Sequence, residues 1–199
     1  MTLPDGYSDV PPGKIAAVVT HLEMLSRPPV RSAPEVPGIA IRPVPQPEVG
    51  WYRDLYARVG AEDWLWFSRL GMPPAALEAI IRHPRVEIFV ITRDGRDEGL
   101  LELDLRVAGE CELAFFGLTK ALLGQGAGRT LMTAAIDRAW SHPIRRFWVH
   151  TCTLDHPDAL SFYIRSGFRP YRRQIEIADD PRLTGVLPET AAPHVPIIR

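Results

Sequence analysis

Apolar and polar residues alternate along the middle of the chain, the pattern of strands that bury one face. The segments 85–95, 98–107 and 109–118 each show this alternation and are separated by short polar connections. An Asp-Gly pair at 94–95 is a strong signal for a tight hairpin turn between the first two. The pattern predicts three consecutive strands that pair as an antiparallel meander.

Other segments repeat apolar residues every three or four positions and are predicted as helices. The predicted helices cover 48–60, 61–71, 73–83, the region from Gly128 to Trp140, and 157–166. Further apolar and β-branched runs predict strands at 14–24, 38–44, 144–154 and 168–178. Strands on both sides of the last two helices predict an α/β fold with a mixed sheet.

Composition narrows the class of protein without identifying it. The 199 residues carry 46% hydrophobic and 24% charged side chains and a net charge of −1, as expected of one globular domain. We expect no nucleic-acid partner and no membrane association, because there is neither a strong positive charge nor an apolar run long enough to span a bilayer. The N-terminus lacks a signal-peptide pattern, which favours a cytoplasmic location. Cys111 and Cys152 match no metal-binding spacing, so no metal is expected.

Prolines divide the chain into three predicted parts. Residues 1–37 contain the first strand and a proline-rich connection, either part of the domain or appended to it, and residues 38–178 form the main domain. Residues 179–199 form a proline-rich tail, expected to be extended or loose.

The segment GLTKALLGQGAGRTLM, residues 117–132, carries the strongest local signal for a binding site. Gly124, Gly126 and Gly128 precede a helix, where free backbone N–H groups and the helix dipole attract an anion such as a pyrophosphate. A plain tight turn before a helix is the alternative interpretation. Arg129 occupies the third glycine position of a dinucleotide fingerprint, and Arg129-Thr130 does not complete a nucleoside-triphosphate loop.

The stretch LLGQGAGRTLM resembles the pyrophosphate-binding segment of the GNAT superfamily, the acyl-CoA-dependent N-acyltransferases. The family pattern Arg/Gln-x-x-Gly-x-Gly/Ala maps onto Leu123, Gly124, Gln125, Gly126, Ala127 and Gly128. The chain matches the pattern at both small positions and departs from it at the first, where Leu123 replaces Arg or Gln. The later stretch DHPDALSFYIRSGF, residues 155–168, resembles a second family motif. The residues that match this motif in register are Ala159, Phe162, Tyr163, Gly167 and Phe168. His156 occupies the position at which the family has asparagine.

The resemblance implies a single GNAT-like domain with a mixed, mostly antiparallel, twisted sheet flanked by helices, and acetyl-CoA as co-substrate. It implies backbone contacts to the acyl-pantetheine at a strand bulge near Gly117. The residues expected to bind the co-substrate are Phe116, Gly117, Leu118, Leu123, Gly124, Gln125, Gly126, Ala127, Gly128, Arg129 and His156.

The same resemblance assigns Tyr163 as the general acid for the leaving thiolate. A tyrosine is protonated at neutral pH and can donate, although the motif spacing also suits a core residue. Glu112 is the preferred general base, because it lies on the strand that leads to the glycine segment. Glu102 and Asp104 on the neighbouring strand are rivals, and a solvated carboxylate is the alternative for each.

The expected reaction is transfer of an acetyl group to a primary amine by direct attack in a ternary complex. The acceptor is a small molecule or a peptide, and a homodimer is possible. Trp64, Trp66 and Phe67 are candidates for lining the acceptor pocket, and Arg69 is a candidate for selecting a carboxylate on the acceptor. A non-catalytic acyl-CoA-binding sensor is the competing interpretation, suggested by Leu123 and His156.

Overall fold

The computed structural model describes residues 5–29 and 36–199. Within them, seven strands form one sheet in the order β2-β3-β4-β5-β6-β1-β7. The strands are β1 (Lys14–Met24), β2 (Ile39–Pro43), β3 (Val86–Arg93), β4 (Arg96–Asp104), β5 (Glu110–Leu118), β6 (Arg146–Cys152) and β7 (Arg169–Asp179). The helices are α1 (Val49–Tyr56), α2 (Glu62–Trp64), α3 (Pro74–Ile81), α4 (Ala127–Ala139) and α5 (Ala159–Arg165).

The predicted meander is confirmed. β3, β4 and β5 pair antiparallel in sequence order, and β2 pairs antiparallel with β3. Asp94 (φ 49°) and Gly95 (φ 81°) turn the chain between β3 and β4, and both have the positive φ expected of a two-residue hairpin turn. β5 and β6 are parallel neighbours, so the sheet is mixed as predicted.

The predicted helix over 61–71 is wrong beyond Trp64. α1 continues through a π-helical stretch, Ala57–Ala61, into the short α2, and then Leu65 adopts a left-handed backbone (φ 54°) that ends the helix. Leu65 is buried, so burial of its side chain holds this uncommon conformation in place. Trp64 is therefore the last residue of α2, and the chain presents Trp66 and Phe67 from the turn that follows and not from a helix face.

Helices cover both faces of the sheet. α4 and α5 pack on one face over a core that includes Leu103, Leu113 and Phe147, and we call this the α4/α5 face. α1 and α3 cover part of the other face, which we call the α1/α3 face, over a core that includes Tyr56 and Val90. β4 is buried on both faces as a result, although its sequence alternates between leucine and charged residues.

The N-terminal strand is an interior strand of the sheet. β1 lies between β6 and β7 and pairs antiparallel with both. Residues 30–35 of the predicted proline-rich connection lie outside the described residues. No helix in the described part of the chain is long and apolar enough to cross a bilayer.

The tail packs against the domain through turns. Leu187 and Ala192 join Ile15 and Leu65 in a small third core on the α1/α3 face. Arg182 is buried and donates to Asp180 and to tail carbonyl groups, which anchors the segment. The described tail is therefore ordered against the sheet and not loose.

Candidate active site

A cleft opens where β5 and β6 separate. The two strands pair only over Glu110↔Arg146, Cys111↔Phe147 and Glu112↔Trp148, although β5 continues to Leu118 and β6 to Cys152. The cleft between the diverging strands has a volume of about 1440 Å³. Beyond Glu112, the backbone groups of β5 on the side of β6 pair with no strand among the described residues.

A β-bulge in β5 lies at the start of this separation. Glu102 of β4 pairs with Phe115 and Leu103 pairs with Leu113, which leaves Ala114 as the extra residue. The prediction of a bulge at Gly117 is therefore wrong. Gly117 serves close packing instead: a Cβ there would lie 2.4 Å from Cγ1 of Val59 and 3.2 Å from Cη2 of Trp66.

The glycine segment forms a turn that leads directly into α4. Gly124 (φ 74°) and Gly126 (φ 86°) both have left-handed backbones that other residues rarely adopt, and α4 begins at Ala127. No backbone carbonyl in the described chain accepts a hydrogen bond from the N–H groups of Gly126, Ala127 or Gly128. These donors lie at the positive end of a 13-residue helix, an arrangement that suits an anion, and we call residues 123–128 the anion-binding turn.

Side chains around the turn divide into those that line the cleft and those that do not. Leu123, Gly124, Gly126, Gly128 and Arg129 line it. The guanidinium of Arg129 forms no hydrogen bond or ion pair within the described residues, so its charge is available to a ligand.

Gln125 and Ala127 do not line the cleft, although both belong to the predicted binding set. The Oε1 atom of Gln125 accepts a hydrogen bond of 2.6 Å from Arg93, and its Nε2 atom donates to the Ala121 carbonyl. Ala127 is fully buried beneath the helix. Arg93, which the sequence did not single out, adds positive charge beside the anion-binding turn.

Tyr163 lies on α5 and lines the cleft from the α4/α5 face, close to Phe116, Phe162 and Phe168. Its side chain is 7% exposed, and its hydroxyl has no hydrogen-bond partner among the described residues. Burial raises the pKa of Tyr163, and the negative charge of Asp155 raises it further. The hydroxyl therefore remains protonated at neutral pH.

Glu112 lies on the opposite, α1/α3 face of the sheet, because its neighbours Cys111 and Leu113 point into the core under α4. Oε1 of Glu112 is 3.5 Å from Nδ1 of His150, and both side chains line the cleft. The hydrogen bond with Glu112 raises the pKa of His150, and burial only partly opposes it. The candidate acid and base thus reach the cleft from opposite faces.

The rival bases are both engaged elsewhere. Glu102 is fully buried and accepts hydrogen bonds of 2.5 Å from Tyr52 and from Arg69. Asp104 is bound to Arg106 through both carboxylate oxygens, which lowers the pKa of Asp104 although burial opposes this. Neither carboxylate is as free as Glu112 to accept a proton from an amine.

Arg69 is buried, contrary to the default expectation of an exposed arginine. Its guanidinium lies 5.0 Å from the centre of the Phe115 ring and is paired with Glu102. Arg69 lines the cleft, but its positive charge is neutralised largely by the ion pair with Glu102.

Aromatic residues at the end of α2 and just after it form the wall of the cleft near Asp155. Trp64, Trp66 and Phe67 all line it, and Nε1 of Trp66 donates to Asp155 at 3.0 Å. Asp155 also accepts from the Thr151 hydroxyl and the Cys152 amide. The sequence does not single out Asp155, because its contact with Trp66 joins two residues that are far apart in the chain.

His156 lines the cleft beside Trp64, with 5.0 Å between the ring centres. Its Nδ1 atom accepts a hydrogen bond from the Asp158 amide. Both residues lie in a turn that precedes α5, which begins at Ala159. The predicted start at residue 157 is therefore wrong by two residues. No group of three or more His, Cys, Asp or Glu side chains in the described ranges is arranged to hold a metal ion.

Similar solved structures share this fold. A putative GNAT acetyltransferase from Novosphingobium aromaticivorans is 17% identical, with a TM-score of 0.56 over 85% of this chain and 68% of its own. A GCN5-related N-acetyltransferase from Kribbella flavida is 20% identical, with a TM-score of 0.55 over 87% of this chain and 63% of its own. The ribosomal-protein-S18-alanine N-acetyltransferase from Escherichia coli is 16% identical, with a TM-score of 0.55 over 70% of this chain and 90% of its own.

Several similar structures are longer than this chain, which covers 63%, 55% and 54% of three of them. At such low identity these likenesses establish the fold only. No curated protein matches the chain. The model of the acetyltransferase (GNAT) family matches residues 47–168, which include both motifs and the whole of β3 to α5. The chain therefore belongs to the GNAT acetyltransferase family.

Proposed function

We propose that the protein transfers an acetyl group from acetyl-CoA to a primary amine, by direct attack in a ternary complex. The observation that carries the proposal is the cleft between β5 and β6. It joins the anion-binding turn before α4 to Tyr163 on one face of the sheet and Glu112 on the other. The acceptor is a small molecule or a peptide.

The shape and charge of the cleft suit coenzyme A. The free N–H groups at the start of α4, with Arg129, complement the negative diphosphate. The unpaired edge of β5 beyond Glu112 offers backbone donors and acceptors to the amide groups of a pantetheine arm, as a strand would pair with it. The thioester would then lie near the bulge at Ala114, between the two candidate catalytic side chains.

The reaction requires a neutral amine. An ammonium group with a pKa near 10.4 must lose a proton before attack, which costs roughly 4–5 kcal/mol at neutral pH. We assign this proton to Glu112 and His150, whose contact of 3.5 Å lets the carboxylate hold Nδ1–H and leave Nε2 free to accept. The nitrogen lone pair forms the new C–N bond, and the C–S electron pair leaves with sulfur.

Tyr163 is assigned the second proton transfer. Its raised pKa keeps the hydroxyl protonated, and the same low-polarity surroundings raise the pKa of a thiolate released beside it. Because the hydroxyl has no partner in the described chain, it is free to donate to sulfur. The acylated nitrogen then loses its second proton, which restores the Tyr163 hydroxyl, and free coenzyme A and the N-acetylated acceptor are the products.

A sensor that binds acyl-CoA without turnover is the second candidate. It is favoured by Leu123, whose apolar side chain is 43% exposed at the anion-binding turn and adds no donor for the diphosphate. Thiol release from acetyl-CoA, measured over a panel of amines with wild type and Tyr163→Phe, separates the two candidates. Amine-dependent release that the substitution strongly reduces supports the enzyme; tight acetyl-CoA binding without release for any amine supports the sensor.

A further inference from the structure

β7 is an edge strand whose outer side has no partner in the described chain. It is the last strand in the sheet order, and only β1 pairs with it. Nearly every residue of β7 is exposed, including Ile175 at 45% and Ile177 at 52%. An exposed edge of eleven residues with apolar side chains readily pairs with another strand.

The charges of β7 are arranged so that the strand complements itself. Its sequence, RPYRRQIEIAD, is positive in its first half and negative in its second half. When two copies run antiparallel with Gln174 opposite Gln174, Arg172 lies opposite Glu176. Opposite charges directly across an antiparallel pair are stabilising, and the symmetry creates each contact twice.

We propose that this edge is the contact between two copies of the chain, which pair through β7 about a two-fold axis at Gln174. The regular part of the edge begins at Arg172, because a bulge lies beside His21 and Pro170 has no N–H to donate. From there, residues 172–176 of each copy pair with residues 176–172 of the other. The seven-stranded sheets join into one continuous sheet.

The apolar residues also meet in this register. Val18 is the β1 neighbour of Ile175, so both lie on the α4/α5 face, and α4 and α5 do not cover them there. Ile175 of one copy lies across from Arg173 of the other and diagonal to the second Ile175, a distance that aliphatic side chains bridge. The contact therefore combines backbone pairing, two ion pairs and an isoleucine contact.

Charge reversal tests the proposal, with mass measured by sedimentation or light scattering across a dilution series. Arg172→Glu or Glu176→Arg alone should raise the dimer Kd roughly tenfold or more, because two attractive contacts become repulsive. The double variant Arg172→Glu/Glu176→Arg should restore the wild-type Kd. Arg85→Glu, with the same charge change before β3 at the other end of the sheet, should leave it unchanged.

A cysteine at the proposed axis tests the register. Gln174→Cys should give a covalent dimer on mild oxidation, because the two positions face each other. Asp179→Cys should give no covalent dimer. Wild type should give none either, because Cys111 is buried and Cys152 is half-buried. The proposal would be overturned if the wild-type chain is monomeric at every concentration, or if neither single charge reversal changes the dimer Kd. It would also be overturned if the double variant does not restore the wild-type Kd, or if Gln174→Cys gives no cross-link.

Discussion

The Glu112 carboxylate and the His150 imidazole face each other across the point where β5 and β6 separate, with 3.5 Å between Oε1 and Nδ1. Glu112 is in the last residue pair that joins the two strands, and His150 lies two residues beyond it on β6. His150 also faces His21, its partner on β1, and the charges of Asp155 and Glu176 act on it. The apex of the cleft therefore brings the Glu112 carboxylate against the His150 imidazole, with His21 as the next titratable neighbour.

The pH dependence of activity tests this pair. Because Glu112 raises the pKa of His150, the proton-accepting form of the pair increases as pH rises through that raised value. Glu112→Gln should lower kcat/KM by roughly a hundredfold and move the remaining inflection to lower pH, since the imidazole loses its stabilising partner. Rate measurements across pH, with Glu110→Gln on the same strand as control, check this. An unmoved inflection would remove His150 from the mechanism.

Tyr163→Phe separates catalysis from folding. The lost hydroxyl has no described hydrogen-bond partner, so its removal should leave the unfolding midpoint in urea unchanged or slightly higher. The rate of thiol release should fall roughly a hundredfold or more, with little change in acetyl-CoA affinity. Stopped-flow thiol detection and calorimetric titration give the two values. Full activity in this variant would show that Tyr163 is only a core residue.

Gly128→Ala should stabilise the fold and weaken acetyl-CoA binding. Gly128 lies in the first turn of α4 with negative φ, and its nearest side-chain atom to an added Cβ is 3.7 Å away. Alanine there gains up to about 1 kcal/mol of helix stability, but its methyl group occupies the wall of the cleft. We expect a higher Tm and a Kd for acetyl-CoA roughly tenfold weaker. If Gly128→Ala binds as tightly as wild type, the ligand does not approach this turn closely.

The buried pair of Arg69 and Glu102 should behave as a structural unit. Arg69→Met leaves a fully buried carboxylate with Tyr52 as its remaining partner, and should lower the free energy of unfolding by about 3–5 kcal/mol. Arg69→Met/Glu102→Leu should be less destabilised than Arg69→Met alone, because no charge is left unpaired. Urea unfolding at neutral pH measures both. A single variant as stable as wild type would contradict the burial of this pair.

Short-range patterns were enough to predict most of the sheet. The alternation of β3, β4 and β5 and the Asp94-Gly95 turn depend on neighbours in sequence, and the structure agrees with them. The prediction of a helix over 61–71 is wrong beyond Trp64, because Leu65 adopts a left-handed backbone that burial of its side chain stabilises. Local periodicity contains no information about that burial.

The site was predictable where one segment carries it and not where several meet. The glycine turn before α4 is a local feature, and the structure places it as expected. The bulge was expected at Gly117 but lies at Ala114, because the pairing of β5 with β4 determines it. The contact of Glu112 with His150 and the contact of Trp66 with Asp155 each join residues far apart in sequence.

A crystal structure of the protein with acetyl-CoA is the most direct test of the proposed function. We predict that the diphosphate accepts hydrogen bonds from the amides of Gly126, Ala127 and Gly128. We also predict that the thioester sulfur lies within hydrogen-bonding reach of the Tyr163 hydroxyl, between β5 and β6. Coenzyme A bound outside this cleft, or a sulfur atom out of reach of Tyr163, would contradict the proposal.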